Sequence, residues 1–416
     1  MKISGLYTNS KKYKNILEKV TPVLLALLPI VVTFFGEKLV PVAIVVLVVS
    51  FLFEENKKEN FAANKKLLLP YVIYVSVFIL YSFFAIEVKL AMKVLERQVS
   101  LLLIPAIVFS SNLNTDRVKI FVKTFIIGML IILIYSVIKL SWFIYTQAEW
   151  IEIMNKTSGN STYLQFKYPH IVGAHPTYWC YLLILANIFL LSNSFMKIFS
   201  NKYWNILLLI IFNINIFFLS ARTPIVVNIL IHLLAFILYQ KNQKMSFVKI
   251  IGIIGAVFLI GILAINSPLL KAKVLGVVND ERMYLWPKAL DQIKQNYFVL
   301  GEGLGQGKKI LKDYVIQNGD PREEYIRYDL HNQYLKHYLD MGIMGLISLL
   351  YLLIHPFFRL KNLFSIMSLP LIGFCTLFML SLFTESSLYL IKGILIFAIF
   401  SSILLKDYQN QQKNIE

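Results

Sequence analysis

Long apolar runs leave this chain few folds to choose from. They recur in blocks of roughly 17 to 22 residues, the length at which an α-helix crosses the hydrocarbon core of a bilayer. Hydrophobic residues fill 57% of the 416 positions and charged residues 15%, where a soluble domain keeps about a quarter of its residues charged. The pattern predicts an all-α polytopic membrane protein with about 12 transmembrane helices. They fall at roughly 18–35, 39–54, 67–85, 98–111, 119–145, 174–192, 203–220, 223–239, 247–266, 338–357, 363–384 and 387–405. One large loop, 267–337, separates the ninth from the tenth. The chain divides accordingly into N-terminal helices (1–202), a core with the large loop (203–357), and C-terminal helices with a short tail (358–416).

The formal net charge of +18 first suggests nucleic acid, but the cations sit mostly in short loops between apolar runs. Lys57, Lys58, Lys65 and Lys66 share one such loop, Arg117 and Lys119 another. Lys197 and Lys202, then Lys241, Lys244 and Lys249, then Arg359 and Lys361 follow the same habit. With twelve spans these loops all lie on one face, which makes that face and both termini cytoplasmic. The basic residues thus report orientation in a plasma membrane: membrane lipids are expected as partners and nucleic acid is not. The large loop carries eleven Lys or Arg on the opposite, extracytoplasmic face, which long loops reach largely regardless of charge. The basic N-terminal stretch (Lys11, Lys12, Lys14, Lys19) leads into an apolar run with no small-residue cleavage site, so that run is expected to be a retained span. Cys180 and Cys375 lie inside apolar runs, which leaves no disulfide framework or thiolate metal site. No carboxylate cluster has metal spacing, so neither a metal nor another cofactor is expected.

Most of the polar chemistry lies between Arg282 and Gly345. Helical periodicity runs from Arg282 to about Tyr297, with Met283, Trp286, Leu290 and Ile293 on one stripe. GEGLGQG (Gly301, Gly303, Gly305, Gly307) breaks it, and a second helix is expected from Lys308 to Ile316. No βαβ unit surrounds the glycines, so they are weak as a nucleotide fingerprint. They read as turns needing positive φ, or as backbone brought close to a ligand. NGDP at 318–321 signals a turn. Asp320, Glu323 and Glu324 form a solvated face. Asp329 is placed to cap a helix that starts near His331 and runs straight into the tenth span.

Three residues stand out as candidates for chemistry. Arg222, in LSARTP between two apolar runs, either serves a site or snorkels to the interface. Arg282 opens a helix whose dipole disfavours a cation there, which calls for an anionic partner or for pairing with Glu281. His331 has the intrinsic basicity of a general base, or is a structural histidine. His170 and His175 border the sixth span as possible supporting groups. His337, about 240° around a helix from His331, should face elsewhere, and His232 and His355 belong to spans or their inner ends.

The order of these motifs resembles the O-antigen ligase family, which shares its core with O-antigen polymerases and bacterial protein O-oligosaccharyltransferases. A turn with Ser220, Arg222 and Thr223 is followed by Arg282 heading a helix with Trp286, then a G-x-G-x-G loop, then HNQYLKHYLDMGIMGL. The specific likeness spans roughly 203–357; AHPTY at 174–178 and LERQ at 95–98 add weaker matches. It implies a metal-independent glycosyltransferase of the GT-C type. Such an enzyme moves a glycan from an undecaprenyl diphosphate carrier to a glycolipid or glycan acceptor at the outer leaflet of a bacterial inner membrane. His331 matches the family's essential histidine, and Arg222 and Arg282 match its two essential arginines, as base and as diphosphate ligands. Asp329, Asn332, Glu385 and His175 are expected to support them. A polymerase that extends a lipid-linked repeat is the nearest alternative, followed by a protein-glycosylating enzyme and, from another class, a polysaccharide transporter or flippase.

Overall fold

The computed structural model describes residues 3–147, 151–152, 163–219, 221–241, 281–297, 299–317 and 329–413. Every regular element among them is helical. In chain order the main helices are α1 (Ile3–Phe35), α2 (Val40–Leu52), α3 (Lys57–Ser82), α4 (Val88–Gln98), α5 (Ser100–Ser110), α6 (Thr115–Thr146), α7 (Tyr163–Val172) and α8 (Pro176–Leu191). After them come α9 (Lys202–Leu219), α10 (Arg222–Lys241), α11 (Glu281–Gln292), α12 (Gly307–Gln317), α13 (Gln333–Phe358), α14 (Leu369–Ser381) and α15 (Ile391–Lys413). Five of the described helices are long and apolar enough to cross a membrane: α3, α6, α9, α10 and α13. Shorter apolar helices occupy Lys19–Phe35, Pro176–Leu191 and Ile366–Ser381. The expected spans at 39–54 and 98–111 correspond to helices of 13 and 11 residues. The one expected at 247–266 lies outside the described residues.

The chain folds into two compact units that alternate along the sequence. The first takes Met1–Leu69, Ser100–Ala221 and Ile391–Glu416, and the second takes Pro70–Val99 and Arg222–Leu390. In the first, α1 packs along α6, α15 along α5 and α9 along α8. Phe121, Phe125, Phe189 and Phe400 meet there, with Phe125 and Phe400 ring centroids 4.9 Å apart at a steep angle. Two of its buried cations are compensated. Arg117 Nη1 lies 3.0 Å from Glu54 Oε2. Lys406 Nζ donates to the carbonyls of Val108 at 2.8 Å and of Ser111 at the end of α5, where a cation offsets the helix dipole.

In the second unit α14 packs against both α10 and α13. Tyr334 Oη donates to the Met379 carbonyl at 2.8 Å. The helices of the large loop share a small core with the first turns of α13, built from Leu285, Ala289, Ile293, Leu311, Val315, Leu330 and Leu339. This corrects half of the expected stripe on α11: Trp286 and Ile293 pack on the core, but Met283 and Leu290 are 60% and 43% exposed. All four fit the helical period. The face that α12, α13 and Leu330 cover becomes the buried one.

The start and course of α13 also differ from expectation. Asn332, not Asp329, is its N-cap, with Oδ1 accepting from Leu335 N at 3.1 Å. Asp329 is drawn off by Lys336, 2.7 Å away. The helix does not run straight. It breaks at Met341 (φ −132°, ψ 16°) and Gly342 (φ 57°, ψ −153°). The glycine loop repairs the break: Glu302 N donates to the Leu339 carbonyl at 2.8 Å and Gly303 N to that of Asp340 at 2.9 Å. In return, Ile343 N reaches the Val299 carbonyl at 3.3 Å. A Cβ on Gly342 would collide with the Val299 carbonyl, and one on Gly301 with the Gly342 nitrogen. Positive φ is present at Gly301, Gly303 and Gly305 as expected but not at Gly307, which opens α12, and the close backbone approach is to this helix break. An irregular backbone at membrane depth needs such internal partners, since lipid offers none.

Candidate active site

The residues just ahead of α13 form the first wall of the site. His331 has a φ of 47°, a left-handed conformation uncommon for a residue with a side chain. Leu330, Asn332 and Gln333 on either side of it are buried. Its Nδ1 lies 3.5 Å from Glu385 Oε1, and both side chains are partly covered. The Glu385 carboxylate raises the pKa of the imidazole above the ordinary histidine value. Burial opposes this, Asp329 adds to it, and the Arg282 charge works against it. For Asp329, burial pushes the carboxyl up, but Lys336, with Ser386 and His331, outweighs it and holds the group below the usual carboxylate range.

α11 supplies the second wall. Trp286 donates from Nε1 to the Leu330 carbonyl at 2.8 Å, which fixes the helix to the residue before His331. Arg282 stands one turn earlier on the same face of α11, close enough for its charge to act on the His331 ring. The Glu281 side chain, its alternative partner, lies outside the described residues.

The loop between α14 and α15 is the third wall, and it carries Glu385. Thr384 Oγ1 donates to Thr223 Oγ1 at 2.8 Å. That bond fastens the loop to the first turn of α10, where Arg222 is the first helical residue. The start of a long helix offers unpaired N–H groups and positive dipole, and with an arginine beside it suits an anion. Ser220 lies outside the described residues. Of the expected supporting groups, Glu385 contacts His331, Asp329 acts on it through charge, and Asn332 caps α13. His175 belongs to the first unit, just ahead of α8, with its ring 5.4 Å from that of Tyr178.

A buried layer lies one turn deeper, and His337, Gln333, Asp340 and Tyr389 were not among the expected site residues. His337 is fully buried, with Nε2 2.7 Å from Tyr74 Oη and Nδ1 3.0 Å from Gln333 Nε2. Its orientation away from His331 is as expected. Tyr389 Oη donates to Asp340 Oδ2 at 2.5 Å, and Gly307 N donates to Asp340 Oδ1 at 2.8 Å. The LERQ motif reaches the same layer. Arg97 Nη1 donates to the Tyr389 carbonyl at 3.1 Å and Gln98 Nε2 to the Leu388 carbonyl at 2.8 Å. The signal that could have found Asp340 is plain: an acid within an apolar, membrane-length helix is rare and needs a stated partner.

Among the described residues, no group of three or more His, Cys, Asp or Glu side chains has metal-binding geometry. The arrangement offers a partly exposed imidazole beside a carboxylate, with the Arg282 charge acting on it and Arg222 at the start of the helix to which the Glu385 loop is bonded. Residues 206–350 match the family model described as O-antigen ligase. No curated protein matches the chain.

Proposed function

We propose that this protein is a glycosyltransferase, a reading supported by the likeness of residues 206–350 to the O-antigen ligase family and by helices long and apolar enough to cross a membrane. It moves a glycan from a polyprenyl diphosphate carrier, undecaprenyl diphosphate in bacteria, to a hydroxyl of a surface glycolipid such as lipid A-core. The observation that carries this reading is the His331–Glu385 contact at 3.5 Å, on a loop fastened by Thr384 to the start of the Arg222 helix.

The chemistry follows from those groups. His331 faces Glu385 through Nδ1, so Nε2 takes the proton of the acceptor hydroxyl. Glu385 stabilises the imidazolium that forms, as a carboxylate does behind a general base. The freed oxygen attacks the anomeric carbon in line, the carbon–oxygen bond to the carrier breaks, and the configuration inverts. The diphosphate leaves with its charge compensated by Arg222 and Arg282, whose paired donors suit phosphate oxygens. The proton then passes from His331 to solvent. The left-handed backbone at His331 costs on the order of 1 kcal/mol or more, which neighbouring contacts must offset. Such strain is often kept where a side chain must be aimed.

The reading puts the site on the extracytoplasmic side with both termini cytoplasmic. Its test is reconstitution with an undecaprenyl-diphosphate-linked oligosaccharide and a glycolipid acceptor in EDTA. Transfer with release of undecaprenyl diphosphate is expected, and a strict divalent-metal requirement would contradict the arginine-based mechanism. In cells, a deletion strain that accumulates lipid-linked chains beside bare acceptor supports ligation. One that loses the polymer ladder yet keeps a single attached repeat makes the enzyme a polymerase.

A further inference from the structure

We infer that Gln333 is a positioning residue for the reaction, acting through the loop that holds Glu385 against His331. This rests on the functional reading above and adds to it a residue whose side chain touches neither reactant nor base. Gln333 is fully buried at the start of α13, two residues after His331. Its backbone N–H donates to the Leu382 carbonyl at 2.8 Å. Its side-chain Oε1 accepts from Leu388 N at 2.9 Å. One residue therefore grips both ends of the Leu382–Leu388 segment, and Glu385 stands at its middle.

The grip is held from behind. Gln333 Nε2 lies 3.0 Å from His337 Nδ1, and the far side of that ring meets Tyr74 Oη at 2.7 Å. The rings of Phe78 and Tyr389 pack against His337, with centroids 5.5 and 5.3 Å away. Gln98 holds the Leu388 carbonyl from the opposite side. Leu388 is fully buried, so both polar groups of its backbone depend on these two glutamines. The same arrangement sets how far Glu385 stands from His331. Packing alone needs some polar partner for Leu388; it does not need that partner to come from the residue whose backbone also fixes the His331 turn.

The groups facing His331 are Glu385 on this loop, Asp329 on its own segment with Lys336 of α13 behind it, and Arg282 on α11. Of these, Glu385 stands at the middle of the gripped loop, so loosening the loop acts on it directly. The experiment follows the pH dependence of diethyl pyrocarbonate modification of His331 by peptide mass spectrometry, on the full-length protein in nanodiscs, without substrate. Gln333→Met keeps the shape and removes the side-chain hydrogen bonds to Leu388 and His337, leaving the backbone bond to Leu382. It should move the His331 titration midpoint to lower pH, in the same direction as Glu385→Gln. Gln333→Glu, which keeps an acceptor for Leu388 N–H, should restore it. In the transfer assay kcat should fall on the order of 10- to 100-fold with little change in KM. Combining Gln333→Met with Glu385→Gln should cost no more than Glu385→Gln alone.

If Gln333→Met does not fold, Gln98→Met loosens the same peptide from its carbonyl side and should shift the midpoint likewise. A folded variant of either kind with an unchanged midpoint overturns the inference. Failure of the functional reading looks different: the His331 midpoint would still respond to Gln333, while removing His331 would leave transfer intact.

Discussion

His331 and His337 lie six residues apart and occupy opposite surroundings. His331 is partly exposed, held in a left-handed turn, and faced by Glu385, Asp329 and Arg282. His337 is fully buried against aromatic rings, with Tyr74 and Gln333 as its polar partners. The first has a counter-charge and an open side, which chemistry needs. The second has satisfied hydrogen bonds and no open side, which stability needs. The difference teaches that a histidine in a membrane-entering segment takes its role from the elements that cover it.

The sharpest way to break this contrast is to remove each ring in turn. His331→Ala should lower transfer on the order of 10²- to 10⁴-fold, the usual worth of a general base, with folded protein undiminished. His337→Ala should instead cost about 2–4 kcal/mol of stability, because it empties a packed space and orphans two buried polar groups. Thermal unfolding in detergent beside a transfer assay separates the two; interchanged phenotypes would end the distinction.

Gly342→Ala probes the deep layer without touching a histidine. It should cost about 3 kcal/mol or more, since the residue adopts backbone angles that L residues avoid and a Cβ there meets the Val299 carbonyl. A variant that is equally heat-stable would show that the helix break is not held by the glycine loop. On the reactive side, Arg222→Lys should lower transfer by roughly 10- to 100-fold, because a point charge does not reproduce the guanidinium fork. Near-normal activity would return Arg222 to a snorkelling role. Tyr389→Phe should cost about 1–2 kcal/mol through loss of its bond to Asp340, visible as a lower unfolding temperature while the His331 midpoint stays put.

The smallest effect is a pH shift. The Glu385 carboxylate raises the pKa of His331, and a base works only when deprotonated. Transfer should therefore rise with pH through a midpoint above the ordinary histidine value. Stability gained from the His331–Glu385 contact runs the other way: it is present while the ring is charged and is lost as pH rises through that midpoint. Glu385→Gln should move the acid limb to lower pH, because burial and Arg282 are then opposed by Asp329 alone. A limb that does not move would mean that Glu385 does not set the basicity of His331.

Part of this site was legible before any coordinates. The candidates His331, Arg222 and Arg282 stood out by residue type and place, and the likeness to the O-antigen ligase family is met by the match over 206–350. The positive φ of the loop glycines was also readable, since glycine is the residue that adopts it freely. Gln333, Thr384 and Tyr389 were not readable. Each acts through a bond to a residue distant in the chain or to a backbone group, and no local pattern marks such a partner. The face of α11 was misjudged in part for a related reason, because Met283 and Leu290 fit the period and the packing of α12 and α13 chose against them.

The sequence by itself determined that the described residues are helical and suited to a membrane, because apolar runs of this length satisfy their backbone in lipid as helices. It also determined which residue types were available for chemistry. The tertiary structure alone decided that α13 is broken and recapped by the glycine loop. It also decided that Asn332 takes the capping place expected of Asp329, and which of two neighbouring histidines meets a carboxylate. The physical reason is one of range: helical period and hydropathy act within a few turns, whereas counter-charges and caps are set by whichever segment, however remote, comes to lie alongside.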